Sequence, residues 1–253
     1  MKKKIVFTLP TLQGGGAEKV ISSVALNINK KKYDVQIVVF DLARQKYLKA
    51  KEINIINLNC SKITYGLFKF IKIINEIKPD ILISSVSHLN LFVSLVKPFL
   101  HKKIKLIVRE SNFLSENIKF QSNYILMKYL YKLFYNNVDK SIVFSKKHKH
   151  DTTKITNINH NKISIINNPV DLYLTNKLSK QKIKKKYNKF FKKKVIKFVY
   201  AGSLSFQKGL DIFINSLALI SEKKFVFNII GAGSEKENLI KLVKDKKLSK
   251  KIN

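Results

Sequence analysis

Ile5-Val6-Phe7-Thr8-Leu9-Pro10-Thr11-Leu12-Gln13-Gly14-Gly15-Gly16-Ala17-Glu18-Lys19-Val20 is the stretch on which the fold turns. The apolar run 5–9 reads as a first strand. Val20, Ile21, Val24, Ala25 and Ile28 then recur at helical spacing. Strand, three glycines and helix together present bare backbone N–H groups at a positive helix end, which suits a phosphate, a carboxylate or a crowded sugar. The glycines also permit positive φ and close approach of a ligand. A single glycine would mark an ordinary βα turn; three in a row before the first helix point to a ligand-facing loop.

The same grammar repeats along the chain. Strands are expected at 35–40, 53–58, 81–85, 105–108, 141–144 and 162–166. Helices are expected at 18–29, 65–77, 90–100 and 122–135. The helix at 65–77 places Leu67, Phe70, Ile71, Ile74 and Ile77 on one stripe, and Pro79-Asp80 ends it. Near-continuous apolar strands alternating with helices imply an α/β protein with a parallel sheet covered on both faces. Ligands of such sheets sit at the carboxyl ends of the strands. The glycine loop, Ser87-His88, Arg109-Glu110-Ser111-Asn112 and Ser145 all fall there, and Ser145 is placed to cap a helix starting at Lys146. A lysine-crowded stretch, 172–194, reads as a solvated linker with a short helix. A second βα series follows, with strands at 195–201 and 225–230 and helices at 210–220 and 235–246. The expected organisation is therefore 1–171, a basic linker 172–194, and 195–253.

Composition narrows the function classes. The chain has 253 residues, is 45% hydrophobic and carries 50 basic against 16 acidic residues, a net charge of +34. Only Arg44 and Arg109 are arginines, so the forked donors that read base edges are scarce, and a sequence-specific nucleic-acid reader is not expected. A general lysine bias accounts for much of the charge; attraction to phosphorylated ligands or an anionic membrane is compatible with it. The single Cys60 excludes an internal disulfide framework and reads as a small, inert thiol. No apolar run approaches the ~20 residues of a membrane span. Pro10 and the glycines end the N-terminal run too early for a secretory signal. A cytoplasmic protein, at most peripheral to a membrane, is expected. His101, His148, His150 and His160 lack companions at ligand spacing, so no metal site is expected, and His148 and His150 read as surface residues.

Five segments occur in a recognisable order. They are Gly14-Gly15-Gly16-Ala17-Glu18-Lys19-Val20, Val143-Phe144-Ser145, Ile166-Asn167-Asn168-Pro169-Val170-Asp171, Tyr200-Ala201-Gly202-Ser203-Leu204-Ser205-Phe206-Gln207-Lys208-Gly209-Leu210-Asp211 and Ile229-Ile230-Gly231-Ala232-Gly233. In this order they resemble family 4 glycosyltransferases, retaining nucleotide-sugar-dependent enzymes of GT-B architecture. The resemblance implies two Rossmann-like domains facing a cleft, an acceptor-binding first domain and a donor-binding second one, with no cofactor beyond the nucleotide-sugar substrate. It implies a glycan or lipid-linked acceptor and a place in lipopolysaccharide or other surface-polysaccharide synthesis.

The resemblance also assigns residues. Lys208, Gly209 and Ser203 fall at the donor diphosphate, where developing negative charge calls for preorganised donors and cations. Gly15 and Gly16 fall over the sugar diphosphate or the acceptor. His88 falls near the reacting sugar; a surface histidine at a helix start is the other reading. Glu18, Glu110 and Asn112 are acceptor-side candidates. Glu18 equally suits the first helix's N-terminus, and Glu110 equally suits a pairing with Arg109. A front-side displacement, with the diphosphate helping to deprotonate the acceptor, needs no protein nucleophile.

Two departures qualify these expectations. Ser203 stands where the family usually carries Arg. The chain is expected to stop two βα units into the second domain, before the family's paired-glutamate segment, and hence to lack transfer activity on its own. Two rivals remain. Ile229-Ile230-Gly231-Ala232-Gly233 begins like a dinucleotide fingerprint, but Lys236 replaces its third glycine. A non-enzymatic basic protein on anionic membranes or nucleotides is the other, since Tyr124, Leu126, Met127, Leu130, Tyr131, Leu133, Phe134 and Tyr135 interleave with Lys128 and Lys132.

Overall fold

A computed structural model describes residues 2–13, 15–42, 53–119, 123–182, 190–191 and 194–253. Gly14, Ser122 and the linker residues 183–189 and 192–193 lie outside the described residues. The chain divides into two units, Met1–Thr175 and Asn176–Asn253.

The first unit is a repeating βα series. Its elements are β1 (Lys3–Leu9), α1 (Gly16–Asn27), β2 (Tyr33–Val39), β3 (Asn54–Asn57), α2 (Leu67–Ile77), β4 (Ile81–Ser85), α3 (Ser87–Val96), β5 (Lys105–Arg109), α4 (Leu114–Lys119), α5 (Tyr124–Phe134), β6 (Lys140–Val143), α6 (Lys146–Thr156) and β7 (Ile163–Ile165). The seven strands form one sheet in the order β3-β2-β1-β4-β5-β6-β7, and every pairing is parallel. β1 and β4 are neighbours although β2 and β3 intervene in sequence, so the strand order reverses between them. In a doubly wound sheet that switch point opens the crevice where ligands bind.

β1 shows how the sequence makes its two layers. Alternate side chains leave a strand on opposite faces. Val6 joins Val38, Leu82, Leu106 and Val108 beneath α2 and α3. Ile5, Phe7 and Leu9 join Ile37 and Val39 beneath Ile21 and Ala25 of α1. Both faces are therefore covered, which is why the run is continuously apolar. On α2, Phe70 and Ile74 are fully buried, and Leu67, Ile71 and Ile77 pack at the edge of the same cluster. Three differences from the sequence reading stand out. α3 begins at Ser87, not near Asn90. α4 was not expected at all. α5 starts at Tyr124.

The second unit begins within α7 (Leu172–Ser179) and continues through β8 (Ile196–Ala201), α8 (Leu210–Leu219), β9 (Phe225–Ile230) and α9 (Lys236–Asp245). β8 and β9 pair in parallel. Residues 251–253 run along the other edge of β9: the Phe227 N–H donates to the Lys251 carbonyl at 2.7 Å, and the Asn253 N–H donates to the Phe227 carbonyl at 2.9 Å. Leu210, Ile214 and Leu217 of α8 and Leu239 of α9 close over Phe225 and Phe227.

Candidate active site

The first unit carries an open cavity of about 570 Å³ at the carboxyl ends of β1, β2 and β4, at the switch point. Pro10, Thr11 and Gln13 line it from the loop after β1. Phe40 and Asp41 follow β2, residues 60–64 follow β3, and His88 and Phe92 come from α3. Its floor is aromatic. Phe40 stacks on Phe70 at 5.6 Å, and Phe92 meets both rings edge-on. Cys60, half-buried, is part of this wall and donates to the Leu58 carbonyl at 3.3 Å.

Glu18 ties the glycine loop down. Its carboxylate accepts from the Thr11 hydroxyl and from the Gly15 N–H, both at 2.6 Å. The N3 carboxylate thus satisfies an orphan donor at the start of α1 and sits in the favourable end of its dipole. Of the two readings of Glu18, the helix-start role is the one its contacts occupy. The expectation of positive φ is not met at Gly15, where φ is −61°. The space beside the start of α1 is open: a Cβ on Gly16 would meet nothing within 4 Å.

His88 is the second residue of α3 and lines the cavity with Phe92 one turn on. The ring is open to solvent on one side, and the protein packed behind it lowers its pKa by desolvation. That direction favours the uncharged imidazole, which can both donate and accept hydrogen bonds with hydroxyls. Two residues before it, Val86 adopts φ 91°, a conformation that a β-branched residue takes only under constraint.

The constraint lies behind the cavity. Glu110, expected on the acceptor side, is fully buried. It accepts from Ser87 Oγ at 2.7 Å, from Asn90 Nδ2 at 2.7 Å and from the Tyr135 hydroxyl. Its carboxylate faces α3, not the cavity, which corrects the expectation of direct acceptor contact. Burial raises its pKa, and the hydrogen bonds from Tyr135, Asn90 and Ser87 oppose the rise. Arg109 makes no ion pair with it at bonding distance. The guanidinium donates instead to Ser85 Oγ at 3.0 Å and to Asn168 Oδ1 at 2.6 Å. Burial lowers the Arg109 pKa, and the charge of Glu110 offsets part of that.

Asn112 is exposed, and its carbonyl accepts from His148 Nε2 at 2.9 Å. His148 is not the surface residue the basic stretch suggests. It is fully buried between Phe113 and Phe144, with ring centroids 5.0 and 4.3 Å away, and burial lowers its pKa. Ser145 accepts from the His148 N–H at 3.1 Å, the cap its position suggests.

The second unit gathers the other candidates in one loop. Phe206–Lys208 forms a 3₁₀ turn, and Gly209 at φ 60° passes into α8. A side chain at 209 would be strained, so glycine is required for the turn to open the helix here. Lys208 is exposed and immediately precedes Gly209 at that helix start, where the first N–H groups have no partner within the helix itself. Ser203 is also exposed, and its carbonyl accepts from the Tyr200 hydroxyl at 2.8 Å. The two strand-end loops press together so closely that a Cβ on Gly231 would lie 1.9 Å from the Gly202 carbonyl oxygen.

Sequence reasoning missed Thr11, Lys62, Val86, Asn168 and Tyr135. Asn168 lay inside a quoted motif, and its distance of 59 positions from Arg109 hid the pairing. In the sequence Tyr135 reads as one more aromatic of the helix expected at 122–135.

Comparison with known proteins agrees with this arrangement. Residues 14–174 match the family described as Glycosyltransferase Family 4. An uncharacterized glycosyltransferase of Methanocaldococcus jannaschii is 29% identical over 193 residues, covering 72% of this chain and 46% of that protein. An amylovoran biosynthesis glycosyltransferase of Erwinia amylovora is 19% identical over 245 residues, 96% of this chain and 66% of its own. The chain thus spans 46% and 66% of the length of these two relatives. Among solved structures, Anabaena HepE in complex with UDP-glucose superposes with a TM-score of 0.74 at 16% identity, over 99% of this chain and 68% of that one. With a parallel sheet in Rossmann-like order, a cavity at its switch point and a family match over residues 14–174, the chain belongs to glycosyltransferase family 4.

Proposed function

We propose that this protein transfers a sugar from a nucleotide-sugar to a glycan or lipid-linked acceptor, with retention, in cell-surface polysaccharide or lipopolysaccharide synthesis. The observation that carries the reading is the switch-point cavity with His88 on its wall, where desolvation favours the uncharged imidazole. A neutral imidazole over an aromatic floor suits a sugar: the ring edge bonds hydroxyls, and the apolar floor accepts the C–H face. Gly15 and Gly16 leave space at the start of α1 for the ligand to approach. In the second unit, Lys208 and the α8 N–H groups supply positive charge for the departing diphosphate. Ser203 offers a hydroxyl there and no guanidinium. The neighbour HepE is described in complex with UDP-glucose, and the Erwinia relative is named for amylovoran synthesis; both support the substrate class. Front-side displacement, with a diphosphate oxygen taking the acceptor proton, requires no nucleophile from this chain.

The test is transfer of radiolabelled sugar from UDP-sugars and other nucleotide-sugars to lipid-linked acceptors, with the anomeric configuration of the product read by NMR. Retained configuration and loss of transfer in His88→Ala are expected. An inverted product, or full transfer by His88→Ala, overturns the respective part of the reading.

A second observation favours peripheral attachment to an anionic membrane. α5 is apolar on both sides: Met127, Leu130, Tyr131 and Phe134 pack into the core, while Ile125, Leu126, Tyr129 and Leu133 are exposed, Ile125 at 82%. Lys132 shares the outer face, and α6, packed against α5, adds the exposed Lys146, Lys147 and Lys154. Apolar side chains ringed by lysines fit an anionic headgroup surface. No helix among the described residues is long and apolar enough to cross a membrane. Co-sedimentation with phosphatidylglycerol vesicles but not with pure phosphatidylcholine is expected, with about tenfold weaker binding after Ile125→Ser and Tyr129→Ser together. Equal binding to both vesicle types removes this attachment.

A further inference from the structure

We propose that Glu110 and Arg109 act as a clamp that holds the strained Val86 and thereby sets the position of His88. The inference rests on the reading of His88 given above, and the clamp itself is a claim about geometry. Val86 is the hinge between β4 and α3, and its φ of 91° is one that valine leaves unless its flanks are fixed. Both flanks are fixed. On the strand side, Ser85 Oγ accepts from Arg109 Nη1 at 3.0 Å, and Asn168 Oδ1 holds the same guanidinium at 2.6 Å. On the helix side, Ser87 has three separate ties. Its hydroxyl donates to Glu110 at 2.7 Å and accepts from Asn117 Nδ2 at 2.9 Å, and its carbonyl accepts from the Tyr131 hydroxyl at 2.9 Å. Asn90, one turn into α3, donates to the Arg109 carbonyl and to Glu110.

No side chain caps the start of α3, so its orientation depends on these tertiary bonds. The partners come from the end of β5, the residue after it, α4, α5 and the segment after β7, which is how a strained turn is over-determined. His88 follows Ser87 directly, so any relaxation of Val86 swings the imidazole relative to the cavity. Glu110 is thus a positioning residue: it is fully buried and does not line the cavity.

Glu110→Gln keeps the shape but places an amide against the Ser87 hydroxyl, which already accepts from Asn117. Amide exchange of residues 86–89 is expected to accelerate about tenfold in Glu110→Gln, while β2 is unchanged. The deciding readout is the background. In Val86→Gly the turn carries no strain, so the same substitution is expected to accelerate exchange only about twofold. Equal acceleration in both backgrounds would mean an ordinary structural bond and overturns the clamp, as does no acceleration with Val86 in place. If Glu110→Gln does not fold, Ser87→Ala removes the same bond through a single hydroxyl and carries the same comparison. Where transfer is measurable, kcat is expected to fall in Glu110→Gln with the donor KM unchanged. Full transfer by His88→Ala refutes the role of His88, and the exchange result decides the clamp separately.

Discussion

β1 and β8 are written in the same local grammar: an apolar run, a small-residue loop and a helix. Their fates differ. From Ile5 to Leu9, β1 is buried at every position, because β2 and β4 flank it and helices cover both faces. β8 pairs with β9, and two of its apolar residues, Ile196 and Val199, are each 56% exposed. Burial is therefore a property of the neighbours an element acquires and not of its own hydrophobicity. A buried strand contributes the ~25 cal/mol per Å² of apolar surface removed from water; an exposed one contributes a fraction of that. The consequence reaches function. The first unit has the packing to over-determine a strained turn beside its cavity, whereas the second presents its candidate residues, Lys208 and Ser203, on an exposed loop.

The widest gap between the units should appear on core truncation. Phe70→Ala, which opens the aromatic floor, is expected to destabilise the first unit by about 3–5 kcal/mol. Val199→Ala should cost the second unit under about 0.5 kcal/mol. Native-state amide exchange in β1 and β9 measures both, and similar losses would erase the contrast. Next comes the exposed loop. Lys208→Ala is expected to weaken UDP binding about tenfold by calorimetry, with Lys208→Arg close to the unsubstituted protein. Unchanged affinity in Lys208→Ala removes that residue from the donor site.

A smaller effect is expected from pH. Burial lowers the pKa of His148, so the folded state binds this proton less readily than the unfolded one. The stabilising contribution is present above the ordinary imidazole pKa and is lost as pH falls through the lowered value. A His148→Asn variant should show a shallower acid-side decline in melting temperature than the unsubstituted protein. Identical declines would mean that other groups, His88 among them, carry the titration. The smallest change is expected at Val86→Gly. Relief of roughly 1–2 kcal/mol of backbone strain is offset by the ~1 kcal/mol entropic cost of glycine. Melting temperature should then hold or rise by a few degrees, where a buried-sheet valine would ordinarily lose several. A clear drop would mean that the turn is not strained.

Much of the first unit was legible in the sequence. The strand at Ile81–Ser85 appears with the bounds its apolar run suggests, and the stripe on α2 buries as its spacing implies. Periodicity reports such features because they depend on residues a few positions apart. α4 escaped because six residues are too few to show a helical period. The start of α3 escaped because it has no capping side chain of its own; its stabilising bonds come from Glu110, Asn117 and Tyr131.

The candidate site divides along the same line. Sequence by itself determined the α/β class, the strand-end placement of the glycine loop, Ser87-His88 and the Lys208-Gly209 turn, and the family these motifs belong to. Each of those follows from order and local spacing. Only the tertiary structure decided that Glu110 faces inward, that His148 is buried between two aromatic rings, and that His88 lines a cavity with Cys60 and Gln13. Those outcomes depend on which residues, dozens of positions apart, the parallel crossovers bring to one sheet edge. Burial and hydrogen bonding across such distances set charge state and geometry, and no local pattern encodes them.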